Sequence, residues 1–267
     1  MNLAAADDDA DLERRFGGLR RLYGPDGYQR LRAGRFAVVG VGGVGSWAVE
    51  ALARSGCAEL TLIDFDQVAE SNINRQIQAL GSTVGQAKIE ALRQRIADIH
   101  PGCRVHLIEE FVEPDNWPAL LTGAGLDGQI DGLIDACDQM RAKATLADWA
   151  RHCQLPFVCV GAAGGKRLPQ AVEIADLAEV THDPLLASLR QRLRKHAGAP
   201  RNGRIGTPCV FSREAVQRPE ADGESCAVDG SLNCAGYGSS VSVTAAFGLC
   251  AAAELQRQFL ARSASAA

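Results

Sequence analysis

The sequence predicts an α/β protein: a Rossmann-like, mostly parallel sheet with helices on both faces, followed by an irregular C-terminal extension. Three observations predict it. Strand-like apolar runs alternate with helical patterns from residue 36 to 164. A glycine-rich turn joins the first strand to the first helix of that series, and from about residue 181 the alternation gives way to turn-rich sequence.

The elements follow in order. GRFAVVGVGGVGSWAVEALARSG (34–56) reads as a strand at 36–41, a glycine turn, and a helix from about Gly43. ELTLIDFD (59–66) is a second strand. GQAKIEALRQRIADIHP (85–101) has apolar residues at 89, 92, 96 and 99, a helical period, and is stopped by Pro101. RVHLIEEF (104–111) and DGLIDACD (131–138) are strands, MRAKATLADWARHC (140–153) a helix, and PFVCVGAAGG (156–165) a strand running into glycines. AVEIADLA (171–178) reads as an additional strand, PLLASLRQRLRKH (184–196) as a short basic helix, and AGAPRNGRIGTP (197–208) as a flexible loop. Residues 212–238 carry turn formers throughout, and so long a loop in a compact domain is expected to be mobile or functional.

Composition narrows the class. The chain has 267 residues, 46% hydrophobic and 22% charged, which is ordinary for a globular protein. A net charge of -4 argues against a general nucleic-acid binder but allows a local basic patch. Nine cysteines in no regular framework point to reduced thiols and a cytoplasmic location. The N-terminus, MNLAAADDDADLERR, lacks the basic and apolar regions of a signal peptide. Residues 234–253 carry no charge over twenty positions, the length a membrane span needs. Their Gly, Ser and Ala content favours a glycine-rich entry followed by a buried helix, with membrane association as the lesser reading.

GVGGVG (40–45) matches the phosphate-binding turn G-x-G-x-x-G in its proper place, after a strand and opening a helix. Gly40 permits the tight turn, Gly42 lets a phosphate reach the backbone, and Gly45 allows close helix–strand packing, with Gly43 inside the same turn. The helix N-terminus then offers free N–H groups to an anion. Asp64, 24 positions after Gly40, ends the second strand where a carboxylate can accept from ribose hydroxyls. NAD and ATP both carry that ribose, so the glycines do not choose between them.

The stretch DFDQVAESNINRQ (64–76) chooses. Asp66, Asn72, Asn74, Arg75 and Gln76 crowd one place, and Lys88 opens the next helix. Hydride transfer needs no such cluster, whereas Arg75 and Lys88 together can neutralise charge on phosphoryl oxygens. Asp138 closes the DGLIDACD run at the carboxyl edge of the sheet, where a carboxylate suits magnesium (Mg2+) shared with phosphates. Plainer readings stand beside these: Lys88 as a solvated helix lysine, Asp138 as a helix N-cap, and Asn72 and Arg75 as loop fixers.

In this order GVGGVGSW, LIDFDQV, SNINRQ, GQAK and DACD resemble the adenylating domain of the ubiquitin-activating-enzyme-like superfamily, the ThiF/MoeB/HesA type. The fuller resemblance is to the tRNA threonylcarbamoyladenosine dehydratase family. It covers nearly the whole chain and adds RFGGLRRLYG, SNINRQIQALGSTVGQAK, GAAGG and NCAGYGS. The resemblance implies ATP-dependent dehydration of the modified adenosine at position 37 in tRNAs reading ANN codons. The threonine-derived carboxylate would be activated and attacked intramolecularly to close a ring. It implies that Asp64 holds the ribose, Arg75 and Lys88 the phosphates, and Asp138 the magnesium, with Asn72 beside the phosphates. It also implies a homodimer in which an N-terminal arginine (Arg15, Arg20 or Arg21) reaches the partner's ATP. A monovalent cation, and a cysteine desulfurase or sulfur-acceptor partner, are left open.

Two departures separate the chain from the activators of sulfur-carrier proteins. It has no CxxC pair, so no structural zinc is expected. Cys226 and Cys234 lie where a thioester-forming cysteine would be sought, but dehydration does not demand one. Cys234 is therefore read as a substrate-loop residue, a small buried side chain, or a nucleophile. From Pro184 to Arg213 there are seven Lys or Arg residues and no acid. Arg190, Arg192, Arg194, Lys195, Arg201 and Arg204 are thus candidate tRNA contacts, the alternative being a solvated helix face. The expected organisation is an N-terminal segment (1–33), a nucleotide-binding core (34–180), and a C-terminal part (181–267) completing the same domain. Activation of a small sulfur-carrier protein is the competing activity. An NAD-dependent oxidoreductase and a non-catalytic nucleotide-binding module fit the site less well.

Overall fold

The strands β1 (Arg35–Val39), β2 (Glu59–Ile63), β3 (Arg104–Ile108), β4 (Gly132–Asp135), β5 (Phe157–Val160), β6 (Val172–Asp176) and β7 (Pro208–Ser212) form one sheet in the order β3-β2-β1-β4-β5-β7-β6. This computed structural model describes residues 11–126, 129–217 and 237–262. Every strand pairing is parallel except β6 with β7 at the edge. The helices are α1 (Leu12–Phe16), α2 (Gly18–Ala33), α3 (Gly45–Arg54), α4 (Lys88–Ile99), α5 (Ala119–Gly123), α6 (Met140–His152), α7 (Pro184–His196) and α8 (Val241–Ala261).

Side-chain alternation along the strands creates two cores. Ala37, Val39, Leu133 and Cys159 face one layer, where Leu146 of α6 and Leu186 and Leu189 of α7 meet them. Phe36, Val38, Leu60 and Ile134 face the other, against Leu52 of α3, Leu92 of α4 and Phe247 of α8. The inner strands are therefore buried on both faces, which is why their sequences read as continuous runs, whereas the edge strands β3 and β6 are partly exposed. Truncating a buried residue such as Leu52 to Ala would cost about 2–5 kcal/mol.

The uncharged run near the C-terminus has its explanation here. Val243, Phe247, Ala251, Ala252 and Leu255 of α8 are buried against the sheet and α3, and no helix of the described residues is long and apolar enough to cross a membrane. Gly248 permits the close approach: a Cβ there would lie 2.4 Å from the carbonyl oxygen of Val44.

Two sequence expectations need correcting. β7 occupies Pro208–Ser212, between stretches read as loop and as turn-rich sequence. Its short apolar stretch has no period of its own and is recognisable only from its place between β5 and β6. DGLIDACD is a strand only as far as Asp135, so Asp138 stands in the following turn. Within the N-terminal segment, α1 and α2 also pack on their own chain: Phe16, Tyr28 and Leu31 are buried, and Arg30 donates to the carbonyls of Phe259 and Leu260.

Candidate nucleotide-binding and catalytic site

β1 lies between β2 and β4, so the chain leaves it in opposite directions and opens a crevice at the carboxyl ends of β1 and β4. A cleft of about 350 Å³ occupies this point. Gly40 has φ of +80°, and a Cβ there would approach the backbone nitrogen of Cys137 to 2.8 Å. Gly45 lies behind the turn, where a Cβ would sit 1.8 Å from the Gly40 carbonyl oxygen. Gly42 and Gly43 line the cleft itself.

Asp64 stands just past β2. Its Oδ2 accepts from the N–H of Val41 (2.7 Å) and its Oδ1 from that of Asp66 (2.9 Å), which ties it to the glycine turn. Burial raises its pKa above the usual aspartate value, against the opposing pull of Lys88 and these two N–H groups. Lys88 is buried at the start of α4, with Nζ 2.6 Å from Asp66 Oδ2. It is therefore not a solvated helix lysine. Both side chains line the cleft.

Arg75 donates through Nη1 to the carbonyl of Ser71 (2.7 Å) and Oδ1 of Asn74 (3.0 Å), while its Nε is buried and unpaired among the described residues. Its backbone oxygen accepts from Trp47 Nε1 of α3 and Thr244 Oγ1 of α8, so two helices hold this loop. Asn72 does fix the loop, since its Oδ1 accepts from the N–H of Ala69 (3.0 Å), and it also lines the cleft. Asn74 Nδ2 donates to the carbonyl of Ser239. Gln76 is buried, and its Oε1 accepts from Gln78 Nε2. Asp138 is exposed at the cleft wall. The N-cap of α6 is Gln139, without a side-chain cap bond, so Asp138 is no helix cap.

Sequence reasoning missed the support beneath these groups. Lys143 of α6 and Asp135 at the end of β4 form a fully buried pair at 3.0 Å. Asp135 also accepts from the Cys137 N–H and from the thiols of Cys137 and Cys159. Burial pushes both thiols well above their usual pKa. For Lys143, burial works against the charged form, yet the attraction of Asp135 raises the ammonium above its usual range. No local spacing in the sequence marks this pair, which forms only because α6 packs on the end of β4. The GAAGG turn is fixed similarly. Asp183 caps α7 through Leu186 N–H and accepts from Ala162 N–H, and Lys166 Nζ donates to the carbonyls of His182, Ser212 and Glu214.

The other candidates divide. Arg15 donates to the carbonyls of Asp98 and Ile99, and Arg20 pairs with Glu13, whereas exposed Arg21 has no such partner among the described residues. Arg190 donates to the carbonyls of Leu177 and Val180, and Arg194 to that of Pro200. Arg192, Lys195, Arg201 and Arg204 are exposed. Cys226 and Cys234 lie outside the described residues.

The glycine turn, the partly buried carboxylate of Asp64, the cations Arg75 and Lys88 and the exposed carboxylate of Asp138 share one cleft, the equipment of a nucleotide-binding enzyme of the adenylating class. The chain belongs to the ThiF family, whose model matches residues 16–262. It is 42% identical to the tRNA threonylcarbamoyladenosine dehydratase of Escherichia coli, over 94% of this chain and 95% of the relative. With the Haemophilus influenzae enzyme of the same name it shares 41% identity, covering 89% and 90%. The solved E. coli dehydratase in complex with ATP superposes with a TM-score of 0.84 at 40% identity, covering 96% of this chain and 98% of that one. Molybdopterin-synthase adenylyltransferase of Salmonella typhimurium is similar over only half of each chain, at 33% identity.

Proposed function

We propose that this chain is an ATP-dependent tRNA threonylcarbamoyladenosine dehydratase. The convergence of Arg75, Lys88 and Asp138 on the cleft beside the glycine turn carries the reading, because it equips the site for phosphoryl chemistry rather than hydride transfer. End-to-end similarity to enzymes of that name supplies the substrate. A carboxylate is a poor electrophile: its charge repels the attacking atom and oxide does not leave. Attack of a carboxylate oxygen on the α-phosphorus of ATP forms an acyl-adenylate and releases pyrophosphate. An intramolecular nucleophile of the same nucleoside then attacks the acyl carbon, AMP departs with the former carboxylate oxygen, and the base has lost one water. Ring closure gains from proximity, so no dedicated base is required.

In this scheme Asp64 accepts from the ribose, Arg75 and Lys88 bear on the phosphates, and Asp138 holds magnesium. Among the described residues no three His, Cys, Asp or Glu side chains gather into a metal cage. The single exposed carboxylate of Asp138 at the cleft wall would suit magnesium, which takes one or two carboxylates together with phosphates and water. Magnesium supplies charge neutralisation at the phosphates. We further infer a cytoplasmic homodimer, with Arg21 the N-terminal arginine best placed by its freedom to reach a partner's nucleotide. Exposed Leu22 and Tyr23 beside it support a contact there.

The test is incubation with ATP, magnesium and tRNA bearing threonylcarbamoyladenosine, followed by mass analysis of the nucleosides. Loss of one water, dependent on ATP, is expected. Unchanged nucleoside, with adenylation of a small sulfur-carrier protein instead, would replace this reading by the competing one.

A further inference from the structure

A second concavity, of about 420 Å³, lies between α6, α7 and the turn at Pro114–Trp117. We propose that this groove receives a nucleotide of the RNA flanking the reacting adenosine, with its base against Trp149 and its phosphates against Arg141 and Arg192. The proposal rests on the tRNA reading above and adds to it the surface that holds the RNA.

The groove is apolar at its base and cationic at its rim. Trp117 and Trp149 meet edge to face, ring centroids 5.2 Å apart and planes at 87°, and Trp149 keeps part of its surface open. Leu193 completes the base. Arg141 and Arg192 are exposed at the rim, and neither has a hydrogen bond or ion pair among the described residues. Arg190, Arg194 and Arg151 nearby all donate to backbone carbonyls, so these two guanidiniums stand out as uncommitted. The one acid lining the groove, Asp148, is faced by Arg151 at 3.6 Å and His152 at 3.4 Å. Open aromatic surface beside free arginines is how proteins hold unpaired nucleotides: the ring stacks on a base and the guanidinium meets phosphate.

Position links the groove to the chemistry. Gln139 and Ala142 at the start of α6 line the nucleotide cleft, while Arg141, Thr145 and Asp148 of the same helix line the groove. α7 repeats the arrangement, with Leu185 at the cleft and Arg192 at the groove. At about 1.5 Å rise per residue, Trp149 lies roughly 15 Å along α6 from Gln139. That is about four nucleotides at the stacked rise of roughly 3.4 Å. An adenosine presented to ATP in the cleft thus brings its neighbours over the groove.

The test compares wild type, Trp149→Ala, Trp149→Phe and the double variant Arg141→Gln/Arg192→Gln for tRNA affinity across salt concentrations, ATP affinity, thermal stability and mass by light scattering. Trp149→Ala should weaken tRNA binding about tenfold or more, and Trp149→Phe should restore most of it. The double arginine variant should lower the slope of log affinity against log salt by about 1.4–1.8, with ATP affinity unchanged. It also decides the matter if Trp149→Ala does not fold. An unchanged slope and affinity in the arginine variant, with wild type still dehydrating tRNA, would overturn the groove and leave the function standing. Wild type that neither binds nor converts tRNA would overturn both. A drop to half the mass, with tRNA affinity per chain intact, would make the groove a contact between copies and overturn it as an RNA surface.

Discussion

The carboxyl ends of β2 and β4 carry the same two residue types, an aspartate and a lysine, in opposite settings. At β2, Lys88 is buried but its partner Asp66 has 56% of its side chain exposed. At β4, Asp135 and Lys143 are both wholly buried. A pair with one end in water can exchange partners cheaply, so a phosphate can replace Asp66 at Lys88. A pair buried at both ends cannot, because either charge left alone would stay out of water. The first arrangement suits binding. The second holds the 136–139 turn, and with it Asp138, in one place.

The largest effect expected from this contrast is at β4. Lys143→Met leaves Asp135 buried without a counter-ion, which costs about 3–5 kcal/mol. At roughly 2–4 °C per kcal/mol, Tm should fall by about 6–20 °C. Asp135→Leu combined with Lys143→Met removes both charges and should recover much of the loss. Calorimetry that finds the double variant as unstable as the single one would trace the loss to packing and not to the unpaired charge.

Asp138→Ala tests what the β4 support is for. Turnover should fall by about 10²–10³, the range for removing one transition-state contact, with circular dichroism and Tm close to wild type. Near-normal turnover with magnesium present would remove Asp138 from the mechanism.

Lys88→Met is the counterpart at β2. Losing a charged hydrogen bond to phosphate should weaken ATP binding by about 1.5–3 kcal/mol, or roughly ten- to a hundredfold. Tm should move far less than for Lys143→Met, because Asp66 remains in contact with water. Equal losses of Tm in the two variants would erase the distinction.

The two ends also differ in how far they could be read from sequence. The β2 end was legible because its groups follow one another along the chain: Asp64, Asp66, Asn72, Arg75 and Gln76 lie within thirteen residues of a glycine motif's second strand. At the β4 end only Asp138 stands out in the sequence, and the strand-like run DGLIDACD extends three residues past the strand itself. Lys143 sits in MRAKATL, where a lysine on a helix ordinarily means a solvated face. Only the packing of α6 on the sheet turns it inward. The same limit hid β7, whose partners are distant in sequence, and the tying of Arg15 and Arg190 to backbone carbonyls. Local patterns identify a phosphate site well, since turn, helix and anion contact are all local. They do not show which charges tertiary packing will consume.

The smallest expected effect concerns Asp64, whose pKa burial raises above that of an ordinary aspartate. As pH falls through the raised value towards the ordinary one, the folded protein takes up a proton that the unfolded chain does not. This group's contribution to stability therefore grows on acidification and diminishes as pH rises through the same window. Its binding role runs the other way, because a neutral carboxyl accepts less strongly from ribose hydroxyls. ATP affinity should thus begin to fall on the acid side before any loss of fold attributable to Asp64, by about 0.5–1.5 kcal/mol for one such hydrogen bond. Asp64→Asn should bind ATP more weakly at neutral pH and lack this acid limb. Taking the ratio of the two proteins' affinities at each pH cancels the titration of ATP itself. A ratio that stays constant from neutral pH down to the ordinary aspartate range would show that Asp64 only shapes the glycine turn and does not hold the ribose.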